Sequence, residues 1–362
     1  MPDIELRNVT KIFKKKKILN KINLTINDKT CLTILGPPGS GKTMILRLIA
    51  GLEKPDEGEI LINGNEVNEV PPDRRGVSMM FQNLALYPHM TVYQNLSFSL
   101  EKLGLSADEI QNRIYEVTEM LRIKNLLDRR PRQLSGGERQ RVALARALIR
   151  KTPIVLLDDP LGHLDAKLRV YSRLEIRKFQ RAFGQTMVIS TPDTQDALSM
   201  GDRVAVLHDG KIVQVDTPEN LLERPKTIDV ATMIGTPKIN LIGCTLKNEN
   251  DNLLLDAGKF KLKTNLAVAR FIRFLGQKVI VGVRPSDIDI VAEPSGIEGS
   301  ADIIGLMGKT HIIKINIDGV ELTAAKPLLD TYLMGKKKIW IDIKYDKLII
   351  FDKDGRNIMH YS

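Results

Sequence analysis

Unbroken apolar runs alternate with helically spaced ones along the first half of the chain. Thr30-Cys-Leu-Thr-Ile-Leu35, Ile154-Val-Leu-Leu157 and Met187-Val-Ile189 are short, β-rich and bounded by turn or polar residues, as strands buried on both faces are. Met44-Ile-Leu-Arg-Leu-Ile-Ala50 instead spaces its apolar residues as one face of a helix. Three such strands with helices between them predict a parallel α/β core. Between the first two strands, Thr91 to Leu103, Ala107 to Leu121 and Glu138 to Arg150 read as helices, with Ser106 as N-cap before an Asp108-Glu109 first turn. This is a helical insertion, bounded at about residues 84–150. Ile60-Leu-Ile-Asn-Gly64, with the stretches Ile4 to Val9 and Ile18 to Ile26, predicts a small antiparallel sheet beside the core.

The pattern changes after Arg224-Pro225 and a short helix. Beyond Gly235-Thr-Pro237 the runs Val279 to Val283, His311 to Ile317, Lys338 to Ile343 and Lys347 to Phe351 are short, β-patterned and punctuated by Gly, Asp and Lys. They predict an all-β, barrel-like second domain at 236–362, after a first domain at 1–235.

A length of 362 residues suits two or three domains and excludes a miniature scaffold. Hydrophobic residues at 43% and charged residues at 27% fit a globular protein, and no run approaches the ~18 to 20 apolar residues of a membrane span. Met1-Pro-Asp-Ile-Glu5 leads straight into strand-like alternation, with neither a secretory signal nor an Arg-rich presequence, so a cytoplasmic location is expected. Cys31 and Cys244 stand far apart, outside metal-ligand spacing, and are expected to be small packing residues. The net charge of +10 raises nucleic acid as a partner. It is spread over both domains, however, and Lys14 to Lys17, Arg129-Arg130-Pro131-Arg132 and Lys336 to Lys338 are not interleaved with base-stacking aromatics. They read as solvated turns, and no nucleic-acid partner is expected.

Gly36-Pro37-Pro38-Gly39-Ser40-Gly41-Lys42-Thr43 completes the phosphate-loop pattern between a strand and a helix, the context that the pattern requires. Backbone N–H groups of such a loop close around phosphates, Lys42 reaches the β/γ oxygens, and Thr43 offers its hydroxyl to Mg²⁺. Asp158, directly after the second buried strand, is placed to hold Mg²⁺ through water. Leu134-Ser-Gly-Gly-Glu-Arg-Gln-Arg-Val-Ala143 sets a hydroxyl and bare backbone N–H groups at the start of a helix, which together favour an anion. Taken alone, Ser-Gly-Gly is also an ordinary N-cap and turn.

That segment resembles the signature motif of ATP-binding cassette (ABC) ATPases, and the resemblance extends over nearly the whole chain. Gln82, in Met80-Phe-Gln-Asn-Leu-Ala-Leu-Tyr-Pro-His89, resembles the Q-loop, and Leu164-Asp165 the end of the D-loop; Phe13 falls where an aromatic stacks on adenine. Ile234-Gly-Thr-Pro-Lys-Ile-Asn240 and Gly282-Val-Arg-Pro285 resemble the linker and OB-like (TOBE) regulatory domain of maltose-type sugar importers. The resemblance implies a P-loop NTPase core with an antiparallel β subdomain and helical insertion, followed by an OB-like barrel. It implies an ATPase using ATP and Mg²⁺, with Thr43, Gln82 and Asp158 around the metal and Lys42, Gln82 and Asp159 in the reaction. It further implies a head-to-tail dimer in which Ser135, Gly136, Gly137 and Glu138 act on the partner's ATP. Two membrane-spanning permease subunits, docking around Gln82 to Gln94, and an external solute-binding protein would complete an importer at the cytoplasmic face of the membrane. Tyr87-Pro-His89 and the long β tail favour sugars over polyamines or metal oxyanions.

Two positions depart from the family pattern. The residue after the strand-terminal acid, normally a water-orienting Glu, is Asp159, and the shorter side chain draws its carboxylate back by ~1 Å, a misplacement that can cost about 10²-fold in rate. The family's switch His, in a Thr-His-Asp context, is replaced in Ser190-Thr191-Pro192-Asp193 by a proline, which offers neither side-chain donor nor N–H. His163 could reach a γ-phosphate across the dimer, and Gly162, where Ser is common, would loosen the D-loop. The expectation is a subunit that binds MgATP and dimerises but hydrolyses slowly. The alternatives are a heterodimer with a catalytically complete partner, a nucleotide-gated regulatory module, and a ribosome- or DNA-directed cassette; the last usually carries tandem cassettes or coiled-coil insertions that this chain lacks.

Overall fold

The computed structural model describes residues 2–162, 164–291, 296–327 and 338–359. The chain forms two compact units, Met1–Pro218 and Glu219–Ser362. In chain order the first unit comprises β1 (Pro2–Phe13), β2 (Lys16–Asn27), β3 (Cys31–Leu35), α1 (Lys42–Ala50), β4 (Glu57–Ile62), β5 (Asn65–Glu66) and β6 (Val77–Met80). It continues through α2 (Val92–Ser97), α3 (Ala107–Met120), α4 (Gly136–Leu148), β7 (Ile154–Asp158), α5 (Ala166–Phe183), β8 (Thr186–Thr191), α6 (Thr194–Met200), β9 (Arg203–His208) and β10 (Lys211–Asp216).

Among the described residues the central sheet has six strands in the order β10-β9-β3-β8-β7-β6, parallel except for the β10 edge. Every residue of β3, β7 and β8 is buried, which is why these strands read as continuous apolar runs rather than alternating ones. Their side chains nevertheless alternate between faces. Ile154 and Leu156 join a core with Ile45, Leu48 and Ile49 of α1 and with the antiparallel sheet β2-β1-β4-β5, whereas Val155 and Leu157 join one with Leu144 of α4 and Ile176 and Phe179 of α5. The predicted α/β core, flanking antiparallel sheet and helical insertion are all present.

The predicted helix over Thr91 to Leu103 is shorter. Thr91 and Gln94 form a reciprocal capping box, but α2 ends at Ser97, where the Ser97 and Ser99 hydroxyls donate to the Gln94 and Leu96 carbonyls and compete with the helical ladder. A separate 3₁₀ turn follows at Glu101–Leu103.

In the second unit, α7 (Pro218–Glu223) and α8 (Ile228–Met233) precede β11 (Asn240–Glu249), β12 (Asn252–Asp256), β13 (Lys261–Ala267), β14 (Lys278–Val283), β15 (Ile288–Val291), β16 (Ile297–Met307), β17 (Thr310–Ile317), β18 (Val320–Lys326), β19 (Lys338–Ile343) and β20 (Ile349–Phe351). Five-stranded sheets in the orders β13-β12-β11-β14-β20 and β15-β19-β16-β17-β18 share one core, with Ile242, Leu246 and Val281 from the first meeting Ile313, Ile315 and Ile341 from the second. Buried Asn240 ties the sheets by donating to the carbonyls of Val283 and Thr323 and accepting from the Thr323 N–H at 2.6 Å. Arg284 is buried and donates to the carbonyls of Leu222, Ala231 and Ile234, so residues 219–234 pack with the β-rich unit. Among the described residues no helix is long and apolar enough to cross a membrane.

Candidate active site

The loops that follow β3, β6, β7 and β8 all leave the central sheet at its carboxyl edge, because Leu35 pairs with Thr191, Asp158 with Ser190 and Met80 with Leu157. Open α/β sheets place ligand sites at that edge. The loop after β3 is Gly36 to Thr43. Gly41 takes φ 105°, a left-handed conformation that suits glycine, and lies against Ile18 and Leu19 of β2. At Gly36 a Cβ would collide with the Leu207 carbonyl oxygen and come within 2.7 Å of Ser40 Oγ, so only a bare residue closes the loop on the sheet.

Pro37, Pro38 and Gly39 are exposed, whereas Ser40 and Lys42 are buried. The Lys42 ammonium donates to the carbonyls of Gly36 and Pro37 at 2.8 and 2.9 Å. Burial pushes its pKa down, opposed by the fields of Asp158 and Asp159. Ser40 Oγ is buried with no hydrogen-bond partner among the described residues, a polar atom that a phosphate oxygen would satisfy. The loop therefore fits a phosphate chain, with the N-terminus of α1 behind it.

Asp158 ends β7 at only 3% exposure, and its Oδ1 accepts from Thr43 Oγ1 at 3.0 Å and from Ser190 Oγ at 2.5 Å. A hydroxyl and a carboxylate at this spacing form an oxygen donor set that fits Mg²⁺. Among the described residues no group of three or more His, Cys, Asp or Glu could cage a metal. Phosphate and water oxygens would have to complete the shell, as is usual for Mg²⁺. The sequence reading missed Ser190; its one signal was a hydroxyl at the carboxyl end of an apolar run.

Asp159 follows in a left-handed turn with φ 48°. Its N–H donates to the Ser190 carbonyl at 3.0 Å, and its own carbonyl accepts from Gln140 Nε2 of α4 at 3.1 Å. Pro192 lies exposed just past β8, and Asp193 caps α6 by accepting from the Asp196 N–H at 2.8 Å. Arg169 donates to the Leu161 carbonyl and to Asp193 Oδ2, both at 3.2 Å, joining the loops on either side of the reaction centre. Neither Gln140 nor Arg169 was singled out by pattern, since their partners are distant in sequence.

The remaining candidates lie on other elements of the same unit. Ser135 and Gly136 are exposed at the start of α4, with Gly137 half-buried behind them. Ser135 Oγ accepts from the Glu138 N–H at 3.3 Å, while Glu138 Oε2 accepts from the Ser135 N–H at 2.7 Å, so the Glu138 carboxylate faces its own helix start. That backbone hydrogen bond is the main cause holding the Glu138 carboxyl below the usual range. An accepting Ser135 hydroxyl keeps its proton available to an anion. Asp165 caps α5 by accepting from the Leu168 N–H at 2.9 Å. Gln82 is exposed two residues beyond β6, on the same edge as Asp158. Phe13, 52% exposed, ends β1 about 7 Å along the strand from Lys11, which pairs with Leu19 beside the phosphate loop. His163 lies outside the described residues.

A phosphate loop with buried Ser40 and Lys42, a strand-terminal acid beside it and a Ser-Gly-Gly helix start with Ser135 and Gly136 exposed define a nucleotide-hydrolysing cassette. The family described as ABC transporter matches residues 19–162, and that described as MalK OB fold domain matches residues 235–288. The chain is 37% identical to the trehalose/maltose import ATP-binding protein MalK of Thermococcus litoralis, over 98% of both chains. It is 38% identical to the sn-glycerol-3-phosphate import ATP-binding protein UgpC 1 of Rhizobium johnstonii, over 99% of this chain and 96% of that one. A solved dimeric post-hydrolysis state of the ATP-binding cassette MJ0796, bound to ADP and Pi, superposes with a TM-score of 0.56 at 33% identity, covering 59% of this chain and 98% of that one. The chain belongs to the ATP-binding cassette transporter family, and its activity is ATP hydrolysis.

Proposed function

We propose that the chain is the ATPase subunit of a sugar importer, working as a dimer at the cytoplasmic face of the membrane. The boundary expected at 235/236 would then separate ATPase from OB-like regulatory sequence, with residues 219–235 belonging in space to the second compact unit. The observation that carries this reading is the pairing within one chain of a closed phosphate loop, with Lys42, Thr43 and Asp158 in contact range, and an exposed Ser135-Gly136-Gly137 helix start suited to a second copy's phosphate. The full-length relatives named for trehalose/maltose and sn-glycerol-3-phosphate import support the substrate class.

In this reading Lys42 and the loop N–H groups hold the β/γ phosphates, Phe13 stacks on adenine, and Thr43, Asp158 and Gln82 hold Mg²⁺. The ion, when bound, neutralises developing charge on the phosphate oxygens. Asp159 orients the attacking water and accepts its proton. Pro192 gives no side-chain donor, so the γ-phosphate lacks a contact from that loop and turnover is slow. Two permease subunits and an external solute-binding protein complete the assembly. A heterodimer is the second reading, favoured by Asp159 and Pro192 together beside an unaltered Ser135-Gly136-Gly137.

Gel filtration of the Asp159→Asn chain tests the dimer. ATP should convert it from monomer to dimer, and Ser135→Arg should prevent the conversion. A monomer with and without saturating ATP would contradict the homodimer, and dimerisation only with a second cassette would establish the heterodimer.

A further inference from the structure

The left-handed turn at Asp159 places its carboxylate over Gly162. A Cβ built at Gly162 would lie 2.5 Å from Asp159 Oδ2, 3.0 Å from Cγ and 3.2 Å from Oδ1, inside the distances that non-bonded atoms tolerate. Gly162 itself does not adopt a positive φ, so left-handed backbone is not what requires glycine there, and the three atoms nearest to an added Cβ all belong to the Asp159 carboxylate. The reverse dependence also holds. Asp159 sits at φ 48°, where Asp is favoured over most non-glycine residues, and its peptide is pinned on both sides. The backbone cannot swing the carboxylate elsewhere, and only rotation within its own short side chain can relocate it.

We infer that Gly162 is a positioning residue for hydrolysis: its bare Cα gives the short acid at 159 the space it occupies, and the two residues act as a coupled pair. Any side chain at 162 turns the Asp159 carboxylate out of that space. A glutamate at 159 carries its carboxylate one methylene further and does not need the same volume, so the coupling is specific to the short acid. This inference rests on the proposed role of Asp159.

The test is a kinetic cycle on the full chain: wild type, Gly162→Ala, Asp159→Glu and the Asp159→Glu, Gly162→Ala double variant, with Asp159→Asn as control and nucleotide affinity measured for each. With Asp at 159, Gly162→Ala should lower kcat by about tenfold or more while KM and ATP affinity stay within about twofold, since misplacement of a reacting group near 1 Å costs up to about 10². With Glu at 159 the same substitution should change kcat by less than about twofold, the non-additivity that marks residues in contact. Equal losses in both backgrounds, a loss confined to KM, or no loss with Asp in place would overturn the pairing. An Asp159→Glu chain without turnover would also count against it, because the longer acid would then depend on the same site geometry. Full activity of Asp159→Asn would instead refute the underlying role of Asp159, an outcome distinct from failure of the pairing.

Discussion

The phosphate-binding and hydrolytic parts of the site lie on the same sheet edge but are built differently. Phosphate binding in the proposed mechanism is held by groups that bond to one another, with Lys42, Asp158 and Ser190 buried: Lys42 donates to the carbonyls of Gly36 and Pro37, and half-buried Thr43 and Ser190 donate to Asp158. Hydrolysis in the proposed mechanism depends on side chains at more exposed loop positions, half-buried Asp159, whose backbone N–H and carbonyl are bonded independently of its side chain, and exposed Pro192. The first part cannot change without disturbing the core. The second can, which is how a chain would keep its phosphate loop while the residues at 159 and 192, proposed as water-orienting acid and switch position, differ from the family pattern.

The largest break in this comparison is expected from Lys42→Ala. It removes the cation held in the loop and should lower turnover by at least about 10²-fold, the usual scale for deleting one preorganised donor; phosphate release in steady state measures it. Turnover within about tenfold of wild type would mean that Lys42 does not face the phosphates. Gly36→Ala should destabilise the fold by about 1 to 3 kcal/mol, because the new methyl meets the Leu207 carbonyl oxygen and Ser40 Oγ in a closed space. An unchanged urea midpoint would contradict the close approach.

Smaller effects sharpen the hydrolytic side. Gln140→Leu removes the donor to the Asp159 carbonyl and should reduce kcat several-fold with ATP affinity unchanged, a split that a binding residue would reverse. Last come the cysteines. Burial pushes the thiols of Cys31 and Cys244 up to about 12, so neither ionises near pH 8, and an aromatic disulfide reagent should label neither until the chain is unfolded in urea. Rapid labelling of the native chain would contradict their burial.

How much of this was legible in sequence follows from how local each interaction is. The phosphate loop is contiguous, and its chemistry needs fixed residue types at fixed spacing, so Gly36 to Thr43 could be read directly. Asp158 was legible because it ends an apolar strand downstream of that loop. Ser190 reaches Asp158 across a parallel pairing, and Gln140 reaches Asp159 from another helix; no spacing rule encodes either. The end of α2 was misplaced because serine hydroxyls return to the backbone there, an effect hidden from apolar periodicity. The steric dependence between Asp159 and Gly162 needed coordinates, since their types alone suggested only a shorter acid and a looser loop.

The central claim is that nucleotide binding is fully built while hydrolysis runs on a short acid without the switch histidine. Phosphate release from MgATP by the wild-type chain tests it most directly, measured beside Lys42→Ala as blank and an Asp159→Glu, Pro192→His double variant as restored reference. The account predicts wild-type turnover above the blank and about 10²-fold below the double variant, with equal ATP affinity in the wild type and the double variant. Wild-type turnover equal to that of the double variant would contradict it, because Asp159 and Pro192 would then carry no catalytic cost.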